Sequence, residues 1–450
     1  MGRRWSRRRV IGAAALALGA GCVGDDSDAP EAASPAPDRA PEPAAWLPPE
    51  PVDAVRFAWG VSSGDATADG VVLSLRTDAA VVDLVVKRAD GAAWTDAERR
   101  EDLFPVDQIV KVELAGLEAD TAYTYAWFGA DGRSVVGRFR TALGPGGLRK
   151  ITFGATSCLG GNRPWGTLTA AAAAQLDFFL LLGDTVYADG SPDLEAYRAS
   201  WRSAATVQGF QDLTASTSLV AVWDDHEVEE SRYWYQVSPE RFTAAKQAFL
   251  EALPMRSSAD RMYRILSWGD SVDVFALDCR GERTKTDYLS PEQFAWVKDG
   301  LRASRARFKI VMSSVPMTAF VDLIGAFGAE DRWEGYPAQR EGLIATIVDE
   351  EIGGVLFVAG DFHFASKQFV DPPGQPGEGL VEVLAGPGGS RINPVPAAVE
   401  ADGRDLGPQF DVLLGAWNAL LIEVDPGTGQ VALRWVDDAG AVLIARTVTL

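Results

Sequence analysis

Short runs in which apolar and polar residues alternate fill the chain from Val55 to about Leu143. Runs such as VVLSLRT, VVDLVVKR and VKVELAGL are separated by Gly, Asp and Ala. A period of two is typical of strands with one buried face, and short strands with closely spaced turns indicate a small antiparallel sandwich. We therefore predict an all-β domain over residues 51–143. No catalytic cluster occurs in it, so its expected role is packing or partner contact.

The pattern changes after Pro145, where continuous apolar runs begin to alternate with stretches of helical spacing. DFFLLLGD and GGVLFVAGD read as buried strands, whereas FTAAKQAFLEAL and PEQFAWVKDGLRAS repeat apolar residues every three or four positions. Buried strands that alternate with helices are typical of a layered α/β fold. We predict that this α/β domain spans residues 148–450.

Charged or metal-binding side chains follow five of these predicted strands at the point where each strand ends. In open α/β sheets the carboxyl ends of the strands form the edge at which ligands bind. A lone aspartate after a strand is usually a helix cap or a turn residue, but several carboxylates at one edge repel unless cations hold them. The sequence therefore predicts a metal centre at a single sheet edge. Its candidate residues are Cys158, Asp184, Tyr187, Asp224, Asp225, His226, Asp278, Arg280, Asp361 and His363.

The types of side chain at these strand ends favour hard cations. Histidine occurs only at His226 and His363, so the site must rely on oxygen ligands. The Asp184 carboxylate can bridge two ions, and the Tyr187 phenol and the Cys158 thiol suit an iron-like ion. The alternatives are a buried apolar cysteine and a core tyrosine with a satisfied hydroxyl. His226 could donate a proton to a leaving oxygen or hold a phosphoryl oxygen, although a lone histidine is more often structural.

Two motifs extend the candidate site on both sides of this set. In WDDHE, Asp225 is placed to bind a second metal, with Asp224 beside it as a further metal or phosphate contact. In GDFHF, Asp361 and His363 are two residues apart. They therefore face the same side of an extended segment and can both reach one bimetal centre.

Two arginines in LDCRGERT are candidates for clamping a phosphate. Arg280 and Arg283 carry a permanent charge in a planar fork that matches phosphate oxygens. Either arginine could equally form a structural ion pair with Asp278 or Glu282, and Asp278 is itself a candidate metal or phosphate contact.

The first 50 residues predict export rather than a folded domain. SRRRVIG and the short apolar run after it indicate a twin-arginine signal peptide over residues 1–21. The Pro/Ala-rich stretch 22–50 is predicted to be a disordered linker. Cys22 is a candidate for lipid attachment, so periplasmic, secreted and envelope-tethered locations all stay open. The net charge of −21 argues against nucleic acid as a specific partner.

The ordered motifs SC, GDTVYADG, WDDHE, LDCRGERT and GDFHF resemble those of the alkaline phosphatase D (PhoD-type) family, a branch of the calcineurin-like metallophosphoesterases. FAWGVSSGDATADGVVLSLRTD resembles the N-terminal module of that family. LEADTAYTY resembles the end of a fibronectin type III domain, in which Tyr123 would close a corner onto the backbone. The resemblance implies a four-layer αββα core, phosphomonoesterase and phosphodiesterase activity at alkaline pH, Fe³⁺ with Ca²⁺ as metals, and twin-arginine export.

The resemblance also implies a ligand set. The iron-like ion would be held by Cys158, Asp184 and Tyr187, Asp184 would bridge to a calcium served by Asp225, and Asp361 with His363 would complete the centre. The chain departs from the family pattern after WDDHEV, where Glu229, Glu230 and Ser231 stand in place of asparagines. This departure leaves open whether two or three metals bind.

The leading hypothesis is an exported metal-dependent hydrolase that cleaves small phosphate esters by in-line attack of water, with His226 assisting the leaving group. One alternative is a phosphodiesterase directed at phospholipids or phosphate-containing polymers. Another is a non-catalytic metal- or phosphate-binding surface protein, which only the acidic replacements after WDDHEV support.

Overall fold

A computed structural model describes residues 48–91, 98–161, 163–230, 236–256, 261–320, 323 and 331–450. The predicted signal peptide, Cys22 and nearly all of the predicted linker lie outside these residues, so those predictions stay untested. The described residues all belong to one compact unit, Ala45–Leu450. None of the helices within the described ranges combines the length and the apolar character needed to cross a bilayer.

The strands of the described chain are numbered in chain order. They are β1 (Val61–Gly64), β2 (Gly70–Arg76), β3 (Val82–Arg88), β4 (Glu98–Leu103), β5 (Ile109–Ala115), β6 (Ala122–Phe128), β7 (Gly137–Arg140), β8 (Ile151–Thr156), β9 (Phe178–Leu181), β10 (Ser218–Ala221), β11 (Arg264–Trp268), β12 (Val272–Ala276), β13 (Phe308–Met312), β14 (Val355–Ala359), β15 (Ala365–Phe369), β16 (Val381–Leu384), β17 (Phe410–Leu414), β18 (Ala419–Asp425), β19 (Gln430–Val436) and β20 (Val442–Thr449).

The helices lie between the strands of the second half. They are α1 (Gly166–Ala173), α2 (Leu194–Ala205), α3 (Gln208–Ser216), α4 (Pro239–Ala252), α5 (Pro291–Ala303), α6 (Pro337–Asp349) and α7 (Val395–Ala401). Several begin as the sequence dictates. The side chains of Asp193, Ser238 and Ser290 cap α2, α4 and α5, and α4 and α5 have proline in their first turn.

Two large sheets dominate the fold. One has nine strands in the order β20-β19-β18-β8-β9-β10-β1-β2-β5, and the other has seven in the order β11-β12-β13-β14-β16-β15-β17. Strands β8, β9 and β10 are parallel, as are β12, β13, β14 and β16. These parallel strands are the continuous apolar runs of the sequence, because a parallel sheet is buried on both faces.

Successive residues of one strand enter different cores. Phe178 and Leu180 of β9 pack in a core that the two sheets share, together with Ile310 of the second sheet. Phe179 and Leu181 point the other way, into a core formed with α1, α2, α3 and α4. A third core joins the outer face of the second sheet to α5 and α6. The predicted mixed α/β fold is therefore confirmed, with helices on the outer face of each sheet.

The N-terminal strands do not all stay together. Strands β4, β3, β6 and β7 form a separate antiparallel sheet, whereas β1, β2 and β5 continue the nine-stranded sheet. Strand β1 pairs in parallel with β10, with Ser63 opposite Ser218. The expected purely antiparallel sandwich is therefore incomplete, because alternation of residues predicts a strand but not its partner. The boundary between residues 51–143 and 148–450 stays a prediction.

Candidate metal centre

The candidate residues lie where the parallel strands of both sheets end. Cys158, Asp184 and Asp225 follow β8, β9 and β10 of the first sheet, and Asp361 with His363 follow β14 of the second. The sequence predicted a single sheet edge. The structure instead brings together the carboxyl edges of two sheets, because the sheets pack face to face with their parallel strands ending on the same side.

Seven side chains form three overlapping groups in which every potential ligand atom lies within 4.8 Å of the others. Asp184 belongs to all three groups, which suits it to bridge. The groups are Cys158 with Asp184 and His363; Asp184 with Asp225 and His226; and Asp184 with Asp224, Asp225 and Asp361.

Tyr187 completes the sulfur-containing end of the cluster. Its hydroxyl lies 3.2 Å from Nε2 of His363, and Sγ of Cys158 lies 3.5 Å from Oδ2 of Asp184. Nδ1 of His363 donates to the carbonyl oxygen of Arg391 at 2.8 Å. Since a carbonyl only accepts, the ring proton is on Nδ1, and the lone pair of Nε2 faces Tyr187.

The backbone at the ligands is in an uncommon conformation. Cys158, Asp184, Asp361 and His363 have φ values of 56°, 54°, 69° and 56°, in the left-handed region that non-glycine residues rarely adopt. Gly183 has φ of 102°. A Cβ atom at this position would lie only 2.6 Å from Cβ of Asp224. Such conformations concentrate at functional sites.

Glu227 fixes the loops after β9 and β10, and the sequence analysis missed it. Its carboxylate accepts hydrogen bonds from the backbone N–H groups of Asp184, Thr185 and Asp224 at 3.0, 2.7 and 2.8 Å. Burial raises the pKa of Glu227 to about 7, with the charge of Asp224 adding to the effect and the backbone hydrogen bonds opposing it. The only signal in the sequence was its place in WDDHE.

His226 has a carboxylate partner that the sequence analysis also missed. Its Nδ1 lies 2.8 Å from Oδ2 of Asp189, whose other oxygen accepts the backbone N–H of Glu230 at 2.6 Å. The imidazole stacks on Tyr187 with ring centroids 3.9 Å apart. Burial lowers the pKa of His226, but the hydrogen bond to Asp189 and the charge of Asp225 outweigh it and raise the pKa to about 9.

The two arginines are both buried, and they share one aspartate. Arg280 hydrogen-bonds Asp224 through Nε and Asp331 through Nη1, and Arg283 pairs with Asp331 at 2.7 Å. Nε of Arg283 also donates to the carbonyl of Cys279. The ion-pair alternative left open by the sequence named Asp278 and Glu282, whereas the hydrogen-bonded ion pairs found among the described residues are with Asp224 and Asp331. Asp331 is 51 residues from Arg280 along the chain, and separation in sequence conceals such a pairing.

Asp278 lies at the predicted strand end but not in the metal groups. Its Oδ1 accepts hydrogen bonds from Nε1 of Trp223 and from the backbone N–H of Gly281, both at 2.7 Å. The carboxylate of Asp278 therefore holds the loop after β12, the loop that carries Arg280.

The electrostatics of the cluster favour a bound cation. Burial raises the pKa of Asp184 well above its usual range, and the charges of Asp225 and Asp224 raise it further. Burial likewise raises the pKa of Cys158, with the charge of Asp184 next. Oδ1 of Asp184 and Oδ2 of Asp224 are buried and have no hydrogen-bond partner within the described part of the chain. Cations among these groups would satisfy both the charge and the unpaired oxygens, so the residues fit metal ions.

Two solved structures share this architecture. A structure of PhoD superposes with a TM-score of 0.73 at 22% identity, covering 88% of this chain and 89% of the other. A purple acid phosphatase from yellow lupin seeds superposes with a TM-score of 0.61 at 14% identity, covering 86% of this chain and 74% of the other. Both likenesses show that this chain shares its fold with these two proteins.

Sequence comparison gives the family of the chain. A profile of the PhoD-like phosphatase family matches residues 153–402, and the profile of its N-terminal domain matches residues 42–143. The chain is 28% identical over 391 residues to alkaline phosphatase D of Bacillus subtilis (strain 168). This alignment covers 70% of this chain and 66% of the length of that relative. The chain belongs to the PhoD-like phosphatase family, as the motifs predicted.

Proposed function

We propose that the protein is a metal-dependent hydrolase of small phosphate esters. The observation that carries the proposal is the cluster around Asp184. Carboxylates from the strand ends of two sheets, a thiol and two imidazoles meet there in three overlapping groups, and the potential ligand atoms within each group lie within 4.8 Å of one another. Asp184 has a buried oxygen that no described residue satisfies. A structural cluster of acids would have its oxygens hydrogen-bonded instead.

The donor atoms differ between the two ends of the cluster, and this difference supports two kinds of metal. Cys158, Tyr187 and His363 suit Fe³⁺ at one end, and Asp225 suits Ca²⁺ at the other, with Asp184 common to both ends and Asp361 in the group that contains Asp225. When bound, the cations would acidify an attacking water and neutralise the charge on the phosphoryl oxygens.

Two side chains of the protein would act on the ester directly. Nη2 of Arg280 is buried without a hydrogen-bond partner among the described residues, and we assign it to a phosphoryl oxygen. Asp189 orients His226 and, with the charge of Asp225, raises its pKa to about 9 against the effect of burial, so His226 would donate a proton to the leaving oxygen. Asp189 acts through His226 and is a positioning residue.

The test is hydrolysis of p-nitrophenyl phosphate and of bis(p-nitrophenyl) phosphate by the full chain. We expect turnover that is lost on chelation and restored by metal, and loss of activity in Asp184→Asn. The matched control is Asp402→Asn at an exposed position, which should keep full activity. A folded, metal-loaded protein without activity on either ester would overturn the proposal and favour a binding protein. A clear preference for the diester would favour the phosphodiesterase.

Three finer features belong to the same proposal. Export by the twin-arginine route is supported by SRRRVIG, and SDS gel mobility of exported protein with and without Arg7→Lys and Arg8→Lys tests it. A fibronectin-like N-terminal sandwich is supported by Tyr123, whose hydroxyl accepts the backbone N–H of Glu118 at 2.9 Å. Lipid attachment at Cys22 has no structural support and stays a sequence prediction.

A further inference from the structure

A second cavity, of about 40 Å³, lies where the N-terminal strands meet the helices of the α/β half. Most of its wall comes from β1, β2 and the start of β5 on one side and from α2, α3 and α4 on the other. None of the residues that line it belongs to the groups of metal-binding side chains. One water molecule needs roughly 10–15 Å³ of such space, so the cavity has room for about three waters or for one small ion.

Arg76 brings an unpaired positive charge to this cavity. Its two terminal nitrogens, Nη1 and Nη2, are buried, and no described residue accepts a hydrogen bond from either of them. An arginine keeps its charge in a protein, and its guanidinium can only donate hydrogen bonds. Leaving such a group buried without a partner is costly, so the position calls for an acceptor.

Trp201 adds a further unpaired donor to the same cavity. Its side chain is 2% exposed, and its Nε1 has no hydrogen-bond partner among the described residues. Its ring packs against Phe249 in the core beneath the helices, with ring centroids 5.8 Å apart. An indole N–H, like a guanidinium, can only donate. A ligand that accepts hydrogen bonds and carries negative charge would therefore satisfy both side chains.

The other charged groups around this cavity are already paired with one another. Glu251, which also lines it, accepts hydrogen bonds from Arg198 through both carboxylate oxygens at 2.7 Å. Arg202 pairs with Glu195. Burial lowers the pKa of Arg76, and the charge of Arg202 lowers it further against the opposing effect of Glu251. The surroundings thus leave one positive charge without a counter-charge, and a buried charge is stable only when it is paired.

We propose that this cavity is a binding site for one small inorganic anion, which accepts hydrogen bonds from Arg76 and Trp201. Halide ions and phosphate share the chemistry that the site requires, since both carry negative charge and accept hydrogen bonds. The bound anion would connect β2 to α2 and so stabilise the junction between the N-terminal strands and the helices. The site is separate from the metal centre and does not depend on the function proposed above.

The first test is thermal denaturation of the full chain while sodium gluconate, whose anion is too large for the cavity, is replaced by sodium chloride or sodium phosphate at constant ionic strength. We expect the midpoint to rise by about 2 °C for each tenfold increase in the bound anion above its Kd. Arg76→Met should abolish the rise. The matched control Arg305→Met removes an exposed arginine instead and should keep it. The salt that raises the midpoint distinguishes a halide from phosphate.

A midpoint that is equal in the three salts would overturn the proposal. A rise that persists in Arg76→Met would place the anion elsewhere, for phosphate at the metal centre, and would overturn it as well. The second test is crystallographic and does not need the variant to fold. Crystals of the wild type in sodium bromide or sodium phosphate should show an anomalous bromide peak or phosphate density between Arg76 and Trp201. A cavity that contains water only in both salts would contradict the proposal.

Discussion

Two buried aspartates show how a structural acid differs from one prepared for a ligand. Asp65, directly after β1, is fully buried. Arg264 donates a hydrogen bond to each of its carboxylate oxygens at 2.8 Å, and the backbone N–H of Arg256 donates to Oδ2 at 2.7 Å. Asp184, three residues after the end of β9, is also buried but has an oxygen that no described residue satisfies, and its neighbours are mostly other acids. Both follow a strand of the same sheet, so position alone does not separate them.

The two aspartates differ in the hydrogen-bond donors that reach their carboxylate oxygens. Asp65 joins the end of β1 to Arg264 of β11 and to Arg256 in the segment before β11, and both of its carboxylate oxygens have partners within the chain. The backbone N–H of Asp184 donates to Glu227, Oδ2 of Asp184 accepts from the Cys158 thiol at 3.5 Å, and Oδ1 has no partner among the described residues. A buried charge without a partner is costly, so we infer that its partner is a cation from outside the chain.

The largest expected effect is on stability, at the structural acid. Asp65→Asn should lower the free energy of unfolding by about 3–5 kcal/mol, because it leaves the buried Arg264 without its counter-charge. Chemical denaturation measures this loss, and the metal content should not change. The control is Glu350→Gln in the exposed pair with Arg302, which should change stability little. A metal count that falls together with stability would contradict the separation of the two sites.

The next effect is on activity, at the acid prepared for a ligand. Asp184→Asn should lower kcat/KM by more than about 100-fold. Residues that only orient a metal ligand cost up to about 100-fold in activity when they are changed, and a residue that itself binds the metal should cost at least as much. In the metal-free protein the same change removes a repulsive buried charge, so the free energy of unfolding should stay equal or rise. Loss of stability in metal-free Asp184→Asn would mean that Asp184 is a structural acid like Asp65.

A smaller effect is expected from the positioning of His226. Asp189→Asn should lower the rate for an alkyl phosphate by about 10- to 100-fold and the rate for p-nitrophenyl phosphate less, because nitrophenolate leaves without a proton. The control is Glu230→Gln, whose backbone rather than side chain contacts Asp189. Equal losses on both esters would show that Asp189 supports the fold and not proton donation.

The smallest effect is a pH dependence of the metal-free protein. The raised pKa of Glu227, about 7, means that the folded state keeps a proton that the unfolded chain releases above about pH 4.3. The raised pKa of His226, about 9, acts in the same direction above about pH 6.5. Stability should therefore fall as the pH rises between pH 5 and pH 9. Thermal denaturation with chelator should show the fall, and saturating metal should reverse it.

The sequence predicted which side chains the fold brings together, because each one follows an apolar run. Cys158, Asp184, Asp225 and Asp361 lie in the short segments after buried strands, and the parallel order of the strands brings them together. The α/β alternation predicted the layers for the same reason, since a buried parallel strand needs apolar residues on both faces.

The sequence did not predict the residues that hold the candidate site residues in position. Asp331 pairs with arginines about 50 positions away, and Glu227 works by accepting backbone N–H groups, which no side-chain pattern reveals. The parallel pairing of β1 with β10 was missed because alternation is the same for every partner strand. In the second half of the chain, β11, β15, β17, β18, β19 and β20 were not predicted either. Strand β20 is mostly exposed and carries only a weak apolar pattern.

The central claim is that cations hold together acids delivered by the edges of two sheets. An anomalous difference map from crystals of the metal-replete protein tests it most directly. The account predicts metal peaks on the two sides of Asp184, each within about 2.0–2.6 Å of its ligand atoms. A metal-loaded protein whose peaks all lie away from Asp184 would contradict the account.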